Sequence, residues 1–185
     1  TSWTLRKNTT HEQPDSVMIY PEWNVNGICQ EPGVERTTQV TTLAQVLKDN
    51  GYHTIHCGKA HFGANNTPGE DPLKMGFEVN IAGHAAGSPA SYYGKENFGN
   101  KPDGKSPLAA VPGLEKYHGT DTFLSEALTL EAEKALNNAQ KSDKPFFLYM
   151  AHYAVHTPIQ PDLRFYQKYI DKELPPVEAA YATLI

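Results

Sequence analysis

The spacing of apolar residues predicts a short helix that leads directly into a buried strand near residue 50. Over residues 42–50 the apolar positions recur on one helical face, at Leu43, Val46 and Leu47. Thr42 with Gln45 three places on has the pattern of a capping box, and Gly51 suits the left-handed position after a helix. Residues 52–57 then follow as a strand bounded by glycines. A helix, a glycine and a strand in this order make half of an α/β unit.

A longer helix and a second strand follow farther along the chain. Helical spacing over residues 120–139 places apolar side chains at Phe123, Leu124, Ala127, Leu128, Ala132, Ala135 and Leu136. Residues 144–151 are apolar on both faces, which is typical of a strand buried in a parallel sheet. An alternating run at residues 75–81 predicts a further strand. Two short helices are predicted at residues 162–170 and 177–185, and we expect the last one to continue past the end of the chain.

The remaining segments are irregular. Residues 1–41 show little periodicity, and we interpret them as a loop-rich lead-in with one short extended piece at residues 17–20. Residues 63–116 are rich in Gly, Pro and Asn, yet their Tyr and His content argues against simple disorder. We therefore predict one α/β domain whose core segment is residues 42–185, with part of the body outside this chain.

Composition narrows the class of protein. The chain has 185 residues, 39% of them hydrophobic, with 14 Gly and 14 Pro, which favours a loop-rich α/β protein over a helical bundle. The formal net charge is -5 and no Lys/Arg-rich run occurs, which argues against nucleic acid as a partner. No apolar run approaches the roughly 20 residues that span a bilayer, and no signal peptide is visible.

The two cysteines are predicted to be free thiols. Cys57 falls in the first predicted strand, where it would be buried away from Cys29. Two cysteines do not fix the redox compartment.

Basic residues follow both predicted main strands. Lys59 and His61 come just after the first strand, and His152 and His156 just after the second. Ligands of open α/β sheets bind at the carboxyl ends of the strands, so this placement suits an anionic substrate. Lysine supplies a fixed positive charge, and histidine donates or accepts a proton. A solvated loop with Lys59 in water is the alternative, and spacing alone slightly favours it.

The other histidines have simpler interpretations. Three are predicted to be surface or packing residues: His11, His53 and His118. We interpret His56, on the strand, as a satisfied core histidine, whereas His84 in a glycine-rich loop could be packing or functional. His152 and His156 have the spacing of a helical zinc site, but Pro158 and the preceding strand argue against a helix there. No metal site is therefore predicted within this chain.

Two long runs carry a family resemblance. LAQVLKDNGYHTIHCGKAHFG at residues 43–63 and PFFLYMAHYAVHTP at residues 145–158 closely resemble the sulfatase family in sequence and order. Shorter matches occur at Gly76-Phe77, at GSPASY in residues 87–92 and at residues 179–185. The resemblance covers residues 38–185. A phosphate-ester hydrolase of the same superfamily is another possibility, but the Gly-Lys-x-His-x-Gly motif favours a sulfatase.

This resemblance implies an alkaline-phosphatase-like α/β/α fold and hydrolysis of aryl or carbohydrate sulfate esters, by attack of a formylglycine hydrate on sulfur beside a calcium ion. By position, Lys59 would contact the sulfate and the formylglycine. His61 would hold a hydroxyl of the hydrate, and His156 would donate to the sulfate or the leaving oxygen. Ser91 and His84 are weaker candidates for substrate binding.

The departures from the family pattern concern the nucleophile and the metal. No Cys-x-Pro-x-Arg or Ser-x-Pro-x-Arg occurs, and Cys29-Gln-Glu-Pro does not fit it. The paired N-terminal aspartates, the downstream Asp-Asn pair and a downstream lysine are also missing. We therefore interpret the chain as an internal part of a sulfatase catalytic domain. Calcium and formylglycine are expected in the full-length protein, and this chain alone is expected to be inactive.

A different class of function stays open. The same basic residues could form a non-catalytic module that binds a sulfated glycan or another anion. The expected partner is a sulfated small molecule or sulfated polysaccharide, with no nucleic acid and no membrane. The resemblance implies a periplasmic or extracellular location, and the sequence determines neither the particular substrate nor the oligomeric state.

Overall fold

The computed structural model describes residues 41–63 and 68–185, together with the backbone of residues 2–4 and 37–39. The strands are β1 Ser2–Thr4, β2 Thr37–Gln39, β3 His53–Gly58, β4 Val79–Ile81 and β5 Phe146–Ala151. The α-helices are α1 Leu43–Asp49, α2 Leu124–Ala139, α3 Leu163–Ile170 and α4 Pro176–Ala182. Short 3-10 turns lie at Pro68–Glu70, Pro72–Met75, Gly94–Gly99 and Glu115–Tyr117. The predicted extended piece at residues 17–20 lies outside the described residues, as do His11 and Cys29.

A parallel sheet in the order β4-β3-β5 forms the centre of the fold. β3 pairs with β5 over its whole length, from His53 opposite Phe146 to Gly58 opposite Ala151. β4 pairs with the other side of β3. The chain between β4 and β5 contains α2 and crosses from one side of β3 to the other, because parallel strands need a long crossover connection. The predicted α/β class is confirmed, and β1 and β2 pair separately as an antiparallel ribbon.

The junction from α1 to β3 follows its sequence signals. The Thr42 side chain accepts a hydrogen bond from the Gln45 backbone N–H at 3.1 Å, as an N-cap should. The second half of the capping box is absent, because the Gln45 amide donates to Asp49 instead. Gly51 adopts φ +87°, the predicted left-handed conformation. Ala44 is the buried residue of α1, whereas Leu43 is 64% exposed, so the predicted apolar face is not the packed one.

α2 supplies the main core contact with the sheet. Its buried positions are Leu124, Ala127, Leu128, Ala132 and Ala139. The helix begins at Leu124 rather than near residue 120, because Thr120 and Thr122 form a hydrogen-bonded turn with Tyr117. In the same way, β4 starts only at Val79, because Gly76 ends the preceding 3-10 turn in the left-handed conformation at φ +96°.

β5 differs from the prediction of a strand buried on both faces. Phe146 and Tyr149 are each 42% exposed. β5 pairs only with β3 among the described residues, so it forms an edge of the described sheet. Its apolar residues therefore lack neighbours on the outer side.

The last two helices are close to their predicted positions. Asp162 caps α3 by accepting from the Arg164 backbone N–H at 3.1 Å. α4 ends at Ala182, short of the predicted continuation. No helix in the described part of the chain is long and apolar enough to cross a bilayer. Cys57 is a buried free thiol, as predicted.

His56 is buried as predicted but is not satisfied. Its ring is fully inaccessible and lies among aromatic rings, with centroids 5.2 Å from Phe77 and 5.6 Å from Phe62. Neither ring nitrogen has a hydrogen-bond partner of good geometry among the described residues. Burial lowers the pKa of His56 to about 4, and the nearby Asn80 side chain and Lys59 backbone oppose this shift only in part.

Protein stability should therefore decrease as the pH is lowered through a range set by the pKa of His56. An unfolded histidine titrates near 6.5, so the unfolded chain binds a proton below that pH while folded His56 stays neutral down to about 4. Stability from this residue is full above pH 6.5 and is lost as pH falls towards 4, by about 3 kcal/mol. The free energy of unfolding, measured with urea at several pH values, should depend less on pH in His56→Phe than in the wild type. The control Phe147→Leu lies in the same aromatic cluster but removes no titratable group, so it should keep the pH dependence of the wild type. An unchanged pH dependence in His56→Phe would contradict this assignment.

Candidate active site

The carboxyl ends of β3 and β5 meet at one edge of the sheet, which we call the carboxyl edge. Gly58 lies opposite Ala151 in register, and the Lys59 backbone N–H donates to the Ala151 carbonyl at 2.7 Å. The loops after the two strands therefore start side by side. This confirms that the two strands deliver their basic residues, Lys59 with His61 and His152 with His156, to the same edge.

The loop at residues 84–87 holds His61. The His61 backbone N–H donates to the His84 carbonyl at 3.1 Å. The imidazole lies against Gly87, where a Cβ atom would come within 2.3 Å of His61 Nδ1. His61 itself adopts a left-handed conformation at φ 52°. Only a glycine at position 87 lets the ring occupy this place beside Lys59.

His84 is held by Tyr153. The Tyr153 hydroxyl donates to the Ala82 carbonyl at 2.8 Å and lies 3.0 Å from His84 Nδ1. Because the hydroxyl proton goes to the carbonyl, His84 Nδ1 carries the hydrogen and donates to the Tyr153 oxygen. Burial lowers the pKa of His84, and nearby His61 adds to this, so a neutral His84 beside His61 is favoured. A substrate contact for His84 stays a prediction.

His156 lies on the loop that follows β5, residues 152–161, which we call the β5 loop. Its side chain is exposed, and its Nδ1 lies 3.0 Å from the Thr157 carbonyl and 3.1 Å from the Thr157 hydroxyl. These ring contacts use Nδ1, which leaves Nε2 for a substrate oxygen. His152 begins the loop and is exposed.

Ser91 is placed differently from the other candidates. It is only 2% exposed, and its hydroxyl donates to Glu96 at 2.5 Å and accepts from the Tyr93 backbone N–H at 3.0 Å. The contacts that the structure gives its side chain run to Glu96, Tyr93 and Gln160, not to Lys59 or His61. Substrate binding by Ser91 stays a prediction, although its packing favours a supporting position.

Two tyrosines at the site were not identified from sequence. Tyr92 and Tyr153 are buried, and their hydroxyls bond to backbone carbonyls around the histidines. The available signal was weak: two aromatics end the glycine-rich loop, and one follows His152 directly. Tyrosine at such positions is common in cores, so spacing alone does not mark it as part of a site.

The described residues do not form a metal site. Among residues 41–63 and 68–185, no group of three or more His, Cys, Asp or Glu side chains lies close enough to hold an ion. Calcium in particular requires six to eight oxygen ligands. The side chains at the carboxyl edge are instead a lysine and histidines, which suit an anion.

The described fold is thus a parallel α/β sheet with a lysine and histidines on the loops at its carboxyl edge. The family model described as Sulfatase matches residues 8–182, so the chain belongs to the sulfatase family. The expected alkaline-phosphatase-like α/β fold of sulfatases is confirmed.

Individual relatives agree with the family assignment. The chain is 28% identical over 176 residues to a sulfatase of Formosa agariphila, covering 78% of this chain and 31% of the relative. It is 30% identical over 133 residues to an arylsulfatase of Klebsiella aerogenes, covering 67% of this chain and 26% of the relative. The chain therefore spans about a third or less of these relatives.

Two solved structures resemble this chain in fold. The crystal structure of Ps i-CgsB in complex with k-i-k-neocarrahexaose matches with a TM-score of 0.58 and 25% identity, covering 76% of this chain and 32% of that one. A second crystal structure of Ps i-CgsB matches with a TM-score of 0.59 and 21% identity over 98% of this chain and 36% of that one.

Proposed function

We propose that this chain supplies the sulfate-binding and proton-donating side of an active site that hydrolyses sulfate esters. The observation that carries the proposal is the register of β3 and β5, which brings Lys59 and the β5 loop to one edge. Neither loop alone offers both a fixed cation and an exposed imidazole. Together they form a positively charged side for a sulfate group, on a chain of the sulfatase family.

Lys59 and His156 act on the charge that develops during sulfuryl transfer. Negative charge grows on the non-bridging and leaving oxygens as the ester bond breaks. The Lys59 ammonium binds the non-bridging oxygens, and a cation fixed in place before the reaction stabilises this charge without reorganisation. His156 Nε2 donates a proton to the leaving oxygen or a hydrogen bond to the sulfate.

His61 binds and orients a hydroxyl group beside Lys59. Its ring is confined by Gly87 and its backbone by His84, so the position of the imidazole is restricted. The attacking group, a formylglycine, and the calcium ion expected from the family have no counterpart among the described residues. We propose that both belong to the full-length protein, and no step above passes through them.

A carbohydrate sulfate is one substrate class that fits the proposal. The exposed position of His156 leaves room for a large leaving group, and Ps i-CgsB, a structural neighbour, is solved with k-i-k-neocarrahexaose. An aryl sulfate fits as well. The family resemblance also supports a periplasmic or extracellular location.

Release of inorganic sulfate tests the proposal. The protein that contains these residues should release sulfate from 4-nitrophenyl sulfate or from a sulfated oligosaccharide. His156→Ala should lower kcat/KM about 100-fold, which is typical of a lost general acid. His53→Ala is the matched control, because His53 lies at the opposite end of β3 and pairs with Glu78, and it should keep near-normal activity.

The alternative binding module gives a different result. Such a protein would bind the sulfated oligosaccharide in calorimetry without releasing sulfate. Binding without release, in a preparation shown to contain formylglycine and calcium, would overturn the proposal.

A further inference from the structure

Tyr92 and Tyr93 hold the β5 loop from outside. The Tyr92 backbone N–H donates to Gln160 Oε1 at 2.7 Å, and the Tyr93 hydroxyl donates to the Pro161 carbonyl at 2.8 Å. The Gln160 side-chain N–H also donates to Glu96 at 3.3 Å. These contacts join segments more than 60 residues apart in sequence. The loop that carries His156 is therefore fixed by residues from another part of the chain.

The Tyr92 hydroxyl makes the contact closest to His156. It lies 2.9 Å from the Tyr153 carbonyl and 2.9 Å from the His156 carbonyl. The His156 backbone N–H also donates to the Tyr153 carbonyl, at 3.0 Å, so the hydroxyl closes a turn that begins and ends at these two residues. One hydroxyl proton is shared between two carbonyls, and both would lose their donor if it were removed.

Tyr92 is itself held rigidly. Its side chain is fully buried, and its ring stacks on Phe123 with centroids 5.4 Å apart. Its carbonyl accepts from the Leu124 backbone N–H at 2.8 Å, at the first residue of α2. Burial raises the pKa of Tyr92 to about 12, so the hydroxyl stays a donor at every working pH. The β5 loop is thus connected through Tyr92 to the longest helix of the described fold.

We propose that Tyr92 is a positioning residue for His156 in the sulfate-ester reaction. It touches neither substrate nor reacting atoms, and it sets the place of the His156 backbone, and through it the imidazole, at the carboxyl edge. This inference rests on the proposed function. It adds a residue that acts through His156 rather than on the sulfate.

Tyr92→Phe tests the inference, because it removes only the hydroxyl. We expect kcat to fall about 10-fold to 100-fold with little change in KM. A loss of this size is typical of a catalytic group that is displaced by up to about 1 Å. Tyr93→Phe is the matched control. It removes the neighbouring hydroxyl and one carbonyl contact, at Pro161, and should leave kcat within about threefold. An equal loss in both variants would mean general weakening of the loop and would overturn the proposal.

A double-mutant cycle separates positioning from stability. If Tyr92 acts through His156, Tyr92→Phe should cost little more in a His156→Ala background, because the displaced group is already gone. The same cost in both backgrounds would overturn the proposal. Should Tyr92→Phe fail to fold, 4-aminophenylalanine at position 92 keeps a donor and should retain most of the wild-type kcat, whereas a loss as large as that of His156→Ala would count against positioning.

A measurement without turnover keeps this test independent of the proposed function. The His156 imidazole resonances in NMR spectra should shift in Tyr92→Phe and stay in place in Tyr93→Phe. Unmoved resonances in Tyr92→Phe would overturn the positioning role. If His156→Ala keeps full activity while the resonances move as expected, the proposed function fails at His156 and the structural link from Tyr92 stands.

Discussion

Replacing Lys59 by alanine should lower kcat/KM for a sulfate ester about 100-fold to 1,000-fold, the usual cost of removing one preorganised stabiliser of transition-state charge. The backbone of Lys59 is fixed by the hydrogen bond to Ala151, so its side chain starts from a defined place at the carboxyl edge. Sulfate carries its negative charge on its oxygens, and a neutral hydrogen-bond donor balances that charge less well than a cation does. Steady-state kinetics with 4-nitrophenyl sulfate, on the full-length protein, measure this effect.

Lys141→Ala is the matched control for Lys59→Ala. Lys141 follows α2, before β5 begins, and its ammonium donates to Asn138 on the surface. It therefore lies near the amino end of β5, away from the carboxyl edge. Its removal should leave kcat/KM within about twofold. Activity of Lys59→Ala close to that of Lys141→Ala would show that Lys59 does not bind the sulfate group, and inorganic sulfate should then inhibit both proteins equally.

Local sequence signals were sufficient to predict the junctions that build the site. The N-cap at Thr42 and the left-handed Gly51 depend on interactions between near neighbours, and both were found, although the second half of the capping box was not. The two main strands were found as well, because each has its apolar pattern within one short segment. The shared carboxyl edge also followed, since parallel strands connected by a helix have only one common edge for their following loops.

Contacts between distant segments could not be predicted in this way. β5 has the composition of a fully buried strand, but burial depends on which strands flank it, and the described sheet covers only one side. Tyr92 reaches Tyr153 and His156 across more than 60 residues. His56 was interpreted as satisfied because buried polar groups usually are, yet neither of its ring nitrogens has a partner of good geometry among the described residues. Sequence spacing contains no information on such partners.

Gly58→Ala should destabilise the protein strongly, because an added side chain at position 58 would overlap with the backbone of β5. A Cβ atom there would lie 1.9 Å from the Ala151 carbonyl oxygen and 2.8 Å from its carbon, both in the backbone of β5. Two strands paired in register cannot move apart locally without losing hydrogen bonds. Gly58 also adopts φ +102°, which costs an alanine about 1–2 kcal/mol by itself.

The sum of strain, overlap and a lost Lys59 to Ala151 bond should reach at least about 3 kcal/mol, enough to unfold a marginally stable protein. Gly51→Ala separates these effects, since Gly51 has a similar φ of +87° and its added Cβ would meet nothing within 4 Å. It should lose only the conformational part, about 1 kcal/mol. Urea unfolding followed by circular dichroism compares the two variants. Equal losses would mean that backbone strain alone explains Gly58, and that β3 and β5 do not approach each other as closely at the carboxyl edge as the structure shows.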